Sequence, residues 1–480
     1  MKLLPAILVA SLALAAACAT NPVTGRRELN FMSEAQEISI ANESDPQIKK
    51  EMGVYNDPEL QNYVTEIGMR MAKASERPQL PWRFTVVDVP AVNAFAIPGG
   101  SIYITRGIMP FLNDEAQLAG VIGHEIGHVT ARHSAQQYTK QVSGQIGLIA
   151  LNIFVPASRP FGDLSSSGLG VLFLKFGRDD ELQADQLGAK YESMQGWDPA
   201  GVPAMLSTLG RLDEAAGDKK GVPNWLSTHP EPLTRVSLIQ PTVDQLKAGT
   251  SDFSTNRDAL LRRIDGLVYG DSPEQGMARG STFLHPVLRF RVDFPQGWEI
   301  NNSPAQVVAK APGADVYMLL QGVEKPQGRN VRDIALNDMG NAGFKTVEGQ
   351  NTTINGLDAF MGVYQGQLEG LGAVTMRAAH IVDGKDTYIL AGFVSPNTFS
   401  QSDNAFLTSI RSFRKLTAAE AENIHPDRVD FYVVRTGDTW QSIAERSGGA
   451  VKAATLAIMN SAQPNSQPQV GARIKTVVRG

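Results

Sequence analysis

At 480 residues the chain exceeds what one compact core organises, and roughly three domains are expected. Its 42% hydrophobic and 19% charged residues exclude a disordered chain. A formal net charge of −5, with no basic surplus, argues against a nucleic-acid partner.

The N-terminus opens with the positive pair Met1-Lys2 and an apolar run from Leu3 to Ala17. That run is too short and wrongly flanked to span a bilayer, and it fits a signal peptide over residues 1–17. It ends at Cys18, the single cysteine of the chain. Leu14-Ala15-Ala16-Ala17-Cys18 resembles a bacterial lipobox, with Ala15 where that pattern prefers Leu. The resemblance implies lipidation of Cys18. Ala19 rather than Asp in the next position implies the periplasmic side of the outer membrane. Acyl chains of this kind anchor a protein without a spanning helix. The alternative is ordinary signal cleavage, which leaves a free thiol and a soluble periplasmic protein.

Residues 18–30 are polar and turn-rich and read as a lipidated tether. From Ser33 the pattern turns helical, with Glu34 and Glu37 where a capping box wants acids, and Tyr63, Ile67 and Met71 recur at helical spacing. Phe84 to Val89 reads as a strand. Val92 to Ile97 and Ser101 to Thr105 flank Pro98-Gly99-Gly100 and predict a hairpin. Asn113 or Asp114 can cap a helix running through Leu118, Val121 and Ile122 to about Gln137. The apolar run Ile146 to Val155 is ten residues long, which suits a buried helix or a hydrophobic flap near the site rather than a span. Another helix is expected from Arg178 to Gln195, with helical material to about Leu267. Residues 31–267 therefore read as one domain and 268–280 as a Gly/Ser-containing linker. Residues 281–416 read as an α+β accessory domain, and 428–480 as a small third unit.

Chemistry concentrates in His124-Glu125-Ile126-Gly127-His128. Residues four apart share a helix face, so His124 and His128 can hold one zinc ion, with Glu125 beside them as general base for a zinc-activated water. Val121, Ile122, Ile126 and Val129 make this a buried helix, where histidines without a partner are costly. His133 lies nine residues after His124, which at about 100° per residue is the opposite face of a continuous helix. Metzincin spacing would also require Gly at 131 and His at 134, where the chain has Ala131 and Ser134. His133 is thus expected to be structural or to support a ligand. The expected third ligand is Glu181, with Asp179 and Asp180 as competitors. Asp185, one turn on, can accept a hydrogen bond from a ligand histidine and hold its tautomer.

Gly123-His-Glu-Ile-Gly-His128, Glu181-x-x-Ala-Asp185 and the upstream Asn93-Ala-Phe-Ala96 together resemble one zinc endopeptidase family over roughly residues 30–265. That family includes the CAAX prenyl protease, the heat-shock membrane protease and the beta-barrel assembly-enhancing protease. Asn21-Pro-Val-Thr-Gly-Arg-Arg27 is similar to its periplasmic lipoprotein branch. The resemblance implies a mainly α zincin-type (gluzincin) domain with a small β-sheet, and one Zn2+ per chain. Thr228-His229-Pro230 resembles the family's late His-Pro element, which implies that His229 faces the zinc and stabilises the oxyanion, the alternatives being an imidazole that occupies the open zinc position at rest or a loop histidine stacked before a proline. Asn93 and Ala94 match an edge strand that pairs with extended substrate, the alternative being an ordinary core strand.

Tyr432 to Trp440, Ile443-Ala-Glu-Arg446, Leu456 to Asn460 and Val470 to Ile474 resemble a LysM domain, a βααβ module for N-acetylglucosamine-containing glycans such as peptidoglycan. The stretch between Asn460 and Val470 is longer than usual, and the module either binds the wall or packs on the protease. Three functions remain to be separated. They are an envelope endopeptidase for unfolded or misassembled proteins, a zinc-dependent peptidoglycan hydrolase, and a non-catalytic scaffold or chaperone.

Overall fold

The structure, a computed structural model, describes residues 18–146, 176–216, 225, 229–249, 252–368 and 370–480. Residues 1–17, read as a signal peptide, Thr228, and the apolar run after Ile146 lie outside the described residues. The chain forms a helical region and a separate sheet-rich region. They fall into two compact units: residues up to 270 together with 427–479, and residues 271–426. No helix among the described residues is long and apolar enough to cross a membrane.

The first unit begins with a two-stranded hairpin, β1 (Cys18–Thr20) against β2 (Arg27–Leu29). Helices α1 (Glu34–Met52) and α2 (Pro58–Ala74) follow. Ser33 caps α1, and the partner in its capping box is Gln36 rather than the acids Glu34 or Glu37. Glu37 is buried instead, between Arg77 and Arg132. Next come β3 (Arg83–Val87), β4 (Ala94–Ile97) and β5 (Ser101–Thr105). They make a sheet of order β3-β5-β4, in which β4 and β5 form the hairpin expected around Pro98-Gly99-Gly100. Both turn glycines have positive φ, which suits a residue without a Cβ.

Helix α3 (Glu115–Thr130) is capped by Asp114, whose side chain accepts from Gln117 N, and it is buried along its whole length. It packs against α2, the β4–β5 hairpin, α5 (Arg178–Met194) and α6 (Gly201–Ala216). The expected continuation to Gln137 is broken. Arg132 has φ 61°, and α4 (His133–Ile146) starts on a new axis. The carbonyls that would continue α3 are taken by side chains: Arg77 Nη1 reaches Val129 O at 3.0 Å and Asn21 Nδ2 reaches Ala131 O at 3.2 Å. Helices α7 (Pro232–Lys247) and α8 (Arg257–Arg263) complete the helical part.

Residues 268–280, read as a linker, contain β6 (Val268–Tyr269) and β7 (Met277–Arg279). Gly270, Gly276 and Gly280 serve there as positive-φ turn positions, which in sequence look like linker composition. The C-terminal segment of this unit runs β18 (Asp427–Val433), α11 (Trp440–Arg446), α12 (Ala453–Met459) and β19 (Arg473–Val478), and β18 pairs with both β19 and β6. It packs on the start of α3. Lys475 is fully buried with Nζ 2.6 Å from Leu112 O, and Asn113 Nδ2 lies 2.8 Å from Ser461 Oγ.

The second unit holds a four-stranded antiparallel sheet of order β17-β9-β8-β7, where β8 is Thr282–His285, β9 Phe290–Asp293 and β17 Arg414–Lys415. A seven-stranded antiparallel sheet has the order β10-β11-β12-β16-β15-β14-β13. Its strands are β10 (Glu299–Asn302), β11 (Gln306–Lys310), β12 (Tyr317–Gly322), β13 (Lys345–Ile354), β14 (Leu357–Leu368), β15 (Gly372–Asp383) and β16 (Asp386–Val394). Helices α9 (Val331–Asn341) and α10 (Phe399–Ser412) pack on the strands.

Candidate metal centre

Helix α3 presents His124 and His128 on one face, and α5 crosses it with Glu181 and Asp185. Glycine makes the crossing close. A Cβ at Gly127 would meet Ala184 O at 3.0 Å, and one at Gly188 would meet His124 N at 3.0 Å. His124, Glu125, His128, Glu181, Asp185 and His229 are all buried.

Four side chains converge. One ligand atom from each of His124, His128, Glu181 and His229 lies within 4.8 Å of all the others. Nε2 of His124 is 3.0 Å from Nε2 of His128 and 3.3 Å from Nδ1 of His229. The Glu181 oxygens lie 3.0 and 3.2 Å from His229 Nδ1, and they stand 3.7 Å from His124 Nε2 and 3.6 Å from His128 Nε2. Asp179 and Asp180 are outside this group.

The donor set fits a cation. Asp185 Oδ1 accepts from His124 Nδ1 at 2.9 Å, which leaves the His124 lone pair on Nε2, facing the group. Burial holds the His124 and His128 imidazoles below the usual histidine range, so neither brings a positive charge. Two facing imidazole nitrogens and a carboxylate, all acceptors, are stabilised by an ion such as zinc. Burial alone would raise Glu181 and Asp185. The nearby His229 and Arg235 outweigh it at Glu181, and Arg235 and His124 outweigh it at Asp185, so both carboxyls are held below the usual range.

Glu125 differs from these acids. Burial, above all, pushes its carboxyl up to about 7. Oε1 is buried without a hydrogen-bond partner and stands 3.6 Å from His229 Nε2, while the backbone N–H of Ala96 donates to the carboxylate. A buried base poised near neutrality is suited to proton transfer.

Asn93 and Ala94 are also buried. Asn93 N donates to Thr105 Oγ1 at 3.0 Å, and its Oδ1 accepts from Ala94 N at 2.9 Å. Strand β4, beginning at Ala94, is the edge of its sheet, and Trp225 N donates to Val92 O just before it. Of Cys18, the structure describes its backbone pairing with Leu29.

Sequence reasoning missed three contributors. Arg235, six residues after His229, joins both acids of α5: Nε and Nη2 reach Asp185 at 2.7 and 2.6 Å, and Nη1 reaches Glu181 Oε2 at 2.5 Å. Trp225 stacks on His229 with ring centroids 3.9 Å apart, and Phe176 stacks on His128 at 4.1 Å. For Arg235 the sequence offered no signal, because its partners on α5 lie 50 and 54 residues away. The two aromatics carried none, because stacking partners have no sequence spacing.

The family model described as peptidase family M48 matches residues 58–243. The mitochondrial metalloendopeptidase OMA1 of Schizosaccharomyces pombe is 31% identical over 242 residues, which cover 48% of this chain and 68% of that protein. The chain belongs to peptidase family M48. The beta-barrel assembly-enhancing protease of Escherichia coli (strain K12) is 28% identical over 349 residues, 67% of this chain and 69% of that one. The mitochondrial metalloendopeptidase OMA1 of Arabidopsis thaliana is 34% identical over 198 residues, covering 41% and 39% respectively. As an M48 peptidase the protein is a metalloendopeptidase with zinc as its cofactor, and the buried group His124, His128, Glu181 and His229 is positioned for the metal.

Proposed function

We propose that this M48 peptidase is an endopeptidase of the bacterial cell envelope that hydrolyses unfolded or misassembled proteins. The observation that carries the mechanism is the buried, unpartnered Oε1 of Glu125 beside the four-residue group. In this reading His124, His128 and Glu181 hold zinc and Asp185 orients His124. Zinc held there supplies Lewis acidity toward the scissile carbonyl and toward water. Glu125 takes the proton from the attacking water and returns it to the leaving amine. His229 donates to the oxyanion during the reaction, or rests as a fourth ligand when no substrate is present. Its Nδ1, 3.3 Å from His124 Nε2, supports the resting role. An extended substrate pairs with the edge of β4 at Asn93 and Ala94.

Export, lipidation of Cys18 and the periplasmic side of the outer membrane belong to the same proposal. Asn21 Nδ2 donates to Ala131 O, so an acylated Cys18 would keep the centre close to the bilayer. Residues 428–480, with their βααβ order, are proposed as a LysM-like module for peptidoglycan.

The test pairs Glu125→Gln with wild type, measuring bound zinc and casein cleavage. Zinc retained with cleavage lost supports the mechanism, and retained cleavage ends it. Digestion of purified sacculi in preference to casein would favour a peptidoglycan hydrolase.

A further inference from the structure

Arg132 turns the chain with φ 61° and brings His133 back beside His128, instead of leaving it on the far side of one long helix. The two rings meet edge-on, with centroids 5.0 Å apart and an interplanar angle of 74°. Nδ1 of His133 lies 2.9 Å from Nδ1 of His128. The other nitrogen of His133, Nε2, lies 2.9 Å from Oε1 of Gln183, which is on α5 between Glu181 and Asp185. Asp180 Oδ1 stands on the same side at 3.9 Å. His133 is fully buried.

These contacts determine where the protons sit. Two imidazole nitrogens at hydrogen-bond distance with no cation between them share one proton, since two lone pairs repel and two N–H groups clash. An amide oxygen accepts and never donates, so Nε2 of His133 carries its proton and donates to Gln183. A neutral His133 then has its lone pair on Nδ1. That lone pair accepts from His128 Nδ1–H, and the lone pair of His128 is on Nε2. Nε2 is the atom that faces His124 and Glu181. With the chain of donors reversed, His128 would carry its proton on Nε2 and could not ligate.

We propose that Gln183 and His133 form a relay that holds His128 in its ligating tautomer, which makes His133 a positioning residue for metal binding. The relay does for His128 what Asp185 does for His124, using two neutral groups, His133 of α4 and Gln183 of α5. A neutral relay adds no fourth carboxylate to a buried site that already holds Glu125, Glu181 and Asp185. The inference rests on His128 being a zinc ligand.

The experiment measures zinc affinity by competition with a chromophoric chelator, with circular dichroism as the folding check. His133→Phe keeps an aromatic ring against His128 and removes both relay nitrogens, and it is expected to weaken zinc binding about 10–100-fold. Gln183→Leu is expected to weaken it in the same direction. Gln183→Glu retains an acceptor and is expected to stay within a few-fold of wild type. Wild-type affinity in folded His133→Phe overturns the relay. His128→Ala is the control for the underlying reading: if it keeps zinc affinity, His128 is not a ligand. A second measurement is independent of how the variants fold. Imidazole 15N spectra of the zinc-loaded wild-type chain should show His133 neutral and protonated on Nε2, and protonation of its Nδ1 overturns the proposal.

Discussion

Arg235 grips Asp185 through two hydrogen bonds, Nε to Oδ2 at 2.7 Å and Nη2 to Oδ1 at 2.6 Å. The same guanidinium reaches Glu181, so one cation from α7 compensates both acids of α5. Asp185 in turn holds His124. Arg235→Ala would leave two buried carboxylates without their partner, and a loss of about 3–5 kcal/mol in zinc-free stability is expected. Arg235→Lys is expected to recover little of it, because an ammonium cannot make the paired fork contact. Chemical denaturation of both variants is the measurement, and a lysine variant as stable as wild type would count against the argument.

Zinc removal should have a stability readout as well as a catalytic one. Without an ion, the nitrogens of His124 and His128 face each other in a buried site. A ligand at a thousand times its dissociation constant stabilises the native state by about 4 kcal/mol. A chelator is therefore expected to lower the melting temperature and abolish peptide cleavage, and added zinc to restore both. Glu125→Gln should show the same thermal response, since it keeps the donors. An unchanged melting temperature would argue against a metal held by this cluster.

Gly127→Ala tests the close crossing of α3 and α5. Alanine favours a helix by about 1 kcal/mol over glycine, but overpacking costs about 1–3 kcal/mol. At Gly127 the new Cβ meets backbone of α5, at 3.0 Å from Ala184 O and 3.1 Å from Ala184 Cα, which cannot rotate aside. A net loss of stability is expected, together with weaker zinc binding, because α5 carries Glu181. Gly340→Ala, in α9 with nothing within 4 Å of its Cβ, is the control and should be neutral or stabilising. Equal effects at the two positions would remove the crossing argument.

His285 should make the second unit acid-sensitive. Burial pushes its imidazole down from 6.5 to about 4, and its Nδ1 accepts from Leu288 N at 3.2 Å. The folded state therefore binds its proton less readily than the unfolded state. Stability is complete above the unfolded value and is lost as pH falls from about 6.5 toward 4, reaching about 2 kcal/mol of loss by pH 5. His285→Asn keeps an acceptor for Leu288 and does not titrate. Denaturation at pH 8 and pH 5 should show the smaller acid loss in the variant, and identical losses would exclude His285 as the cause.

Local spacing made half of the metal centre legible. Two histidines four apart share a face by helix geometry alone and mark His124, Glu125 and His128, whereas on the acidic helix Glu181 kept Asp179 and Asp180 as competitors until the structure placed Glu181 in the group. The hairpin at Pro98-Gly99-Gly100 and the Asp114 cap were readable for the same reason, because each is settled within a few residues. The course of the chain after Ala131 was not. Arg132 breaks the helix through partners on α1 and in the N-terminal segment, and only that break brings His133 to His128. Arg235 bridging α5, Trp225 covering His229, and Lys475 reaching Leu112 from 363 residues away are likewise long-range. Periodicity tells which face of an element is buried. It is blind to which distant element buries it, and in this protein the tertiary packing decided which side chains converge with His124 and His128 and the joining of residues 427–479 to the peptidase unit.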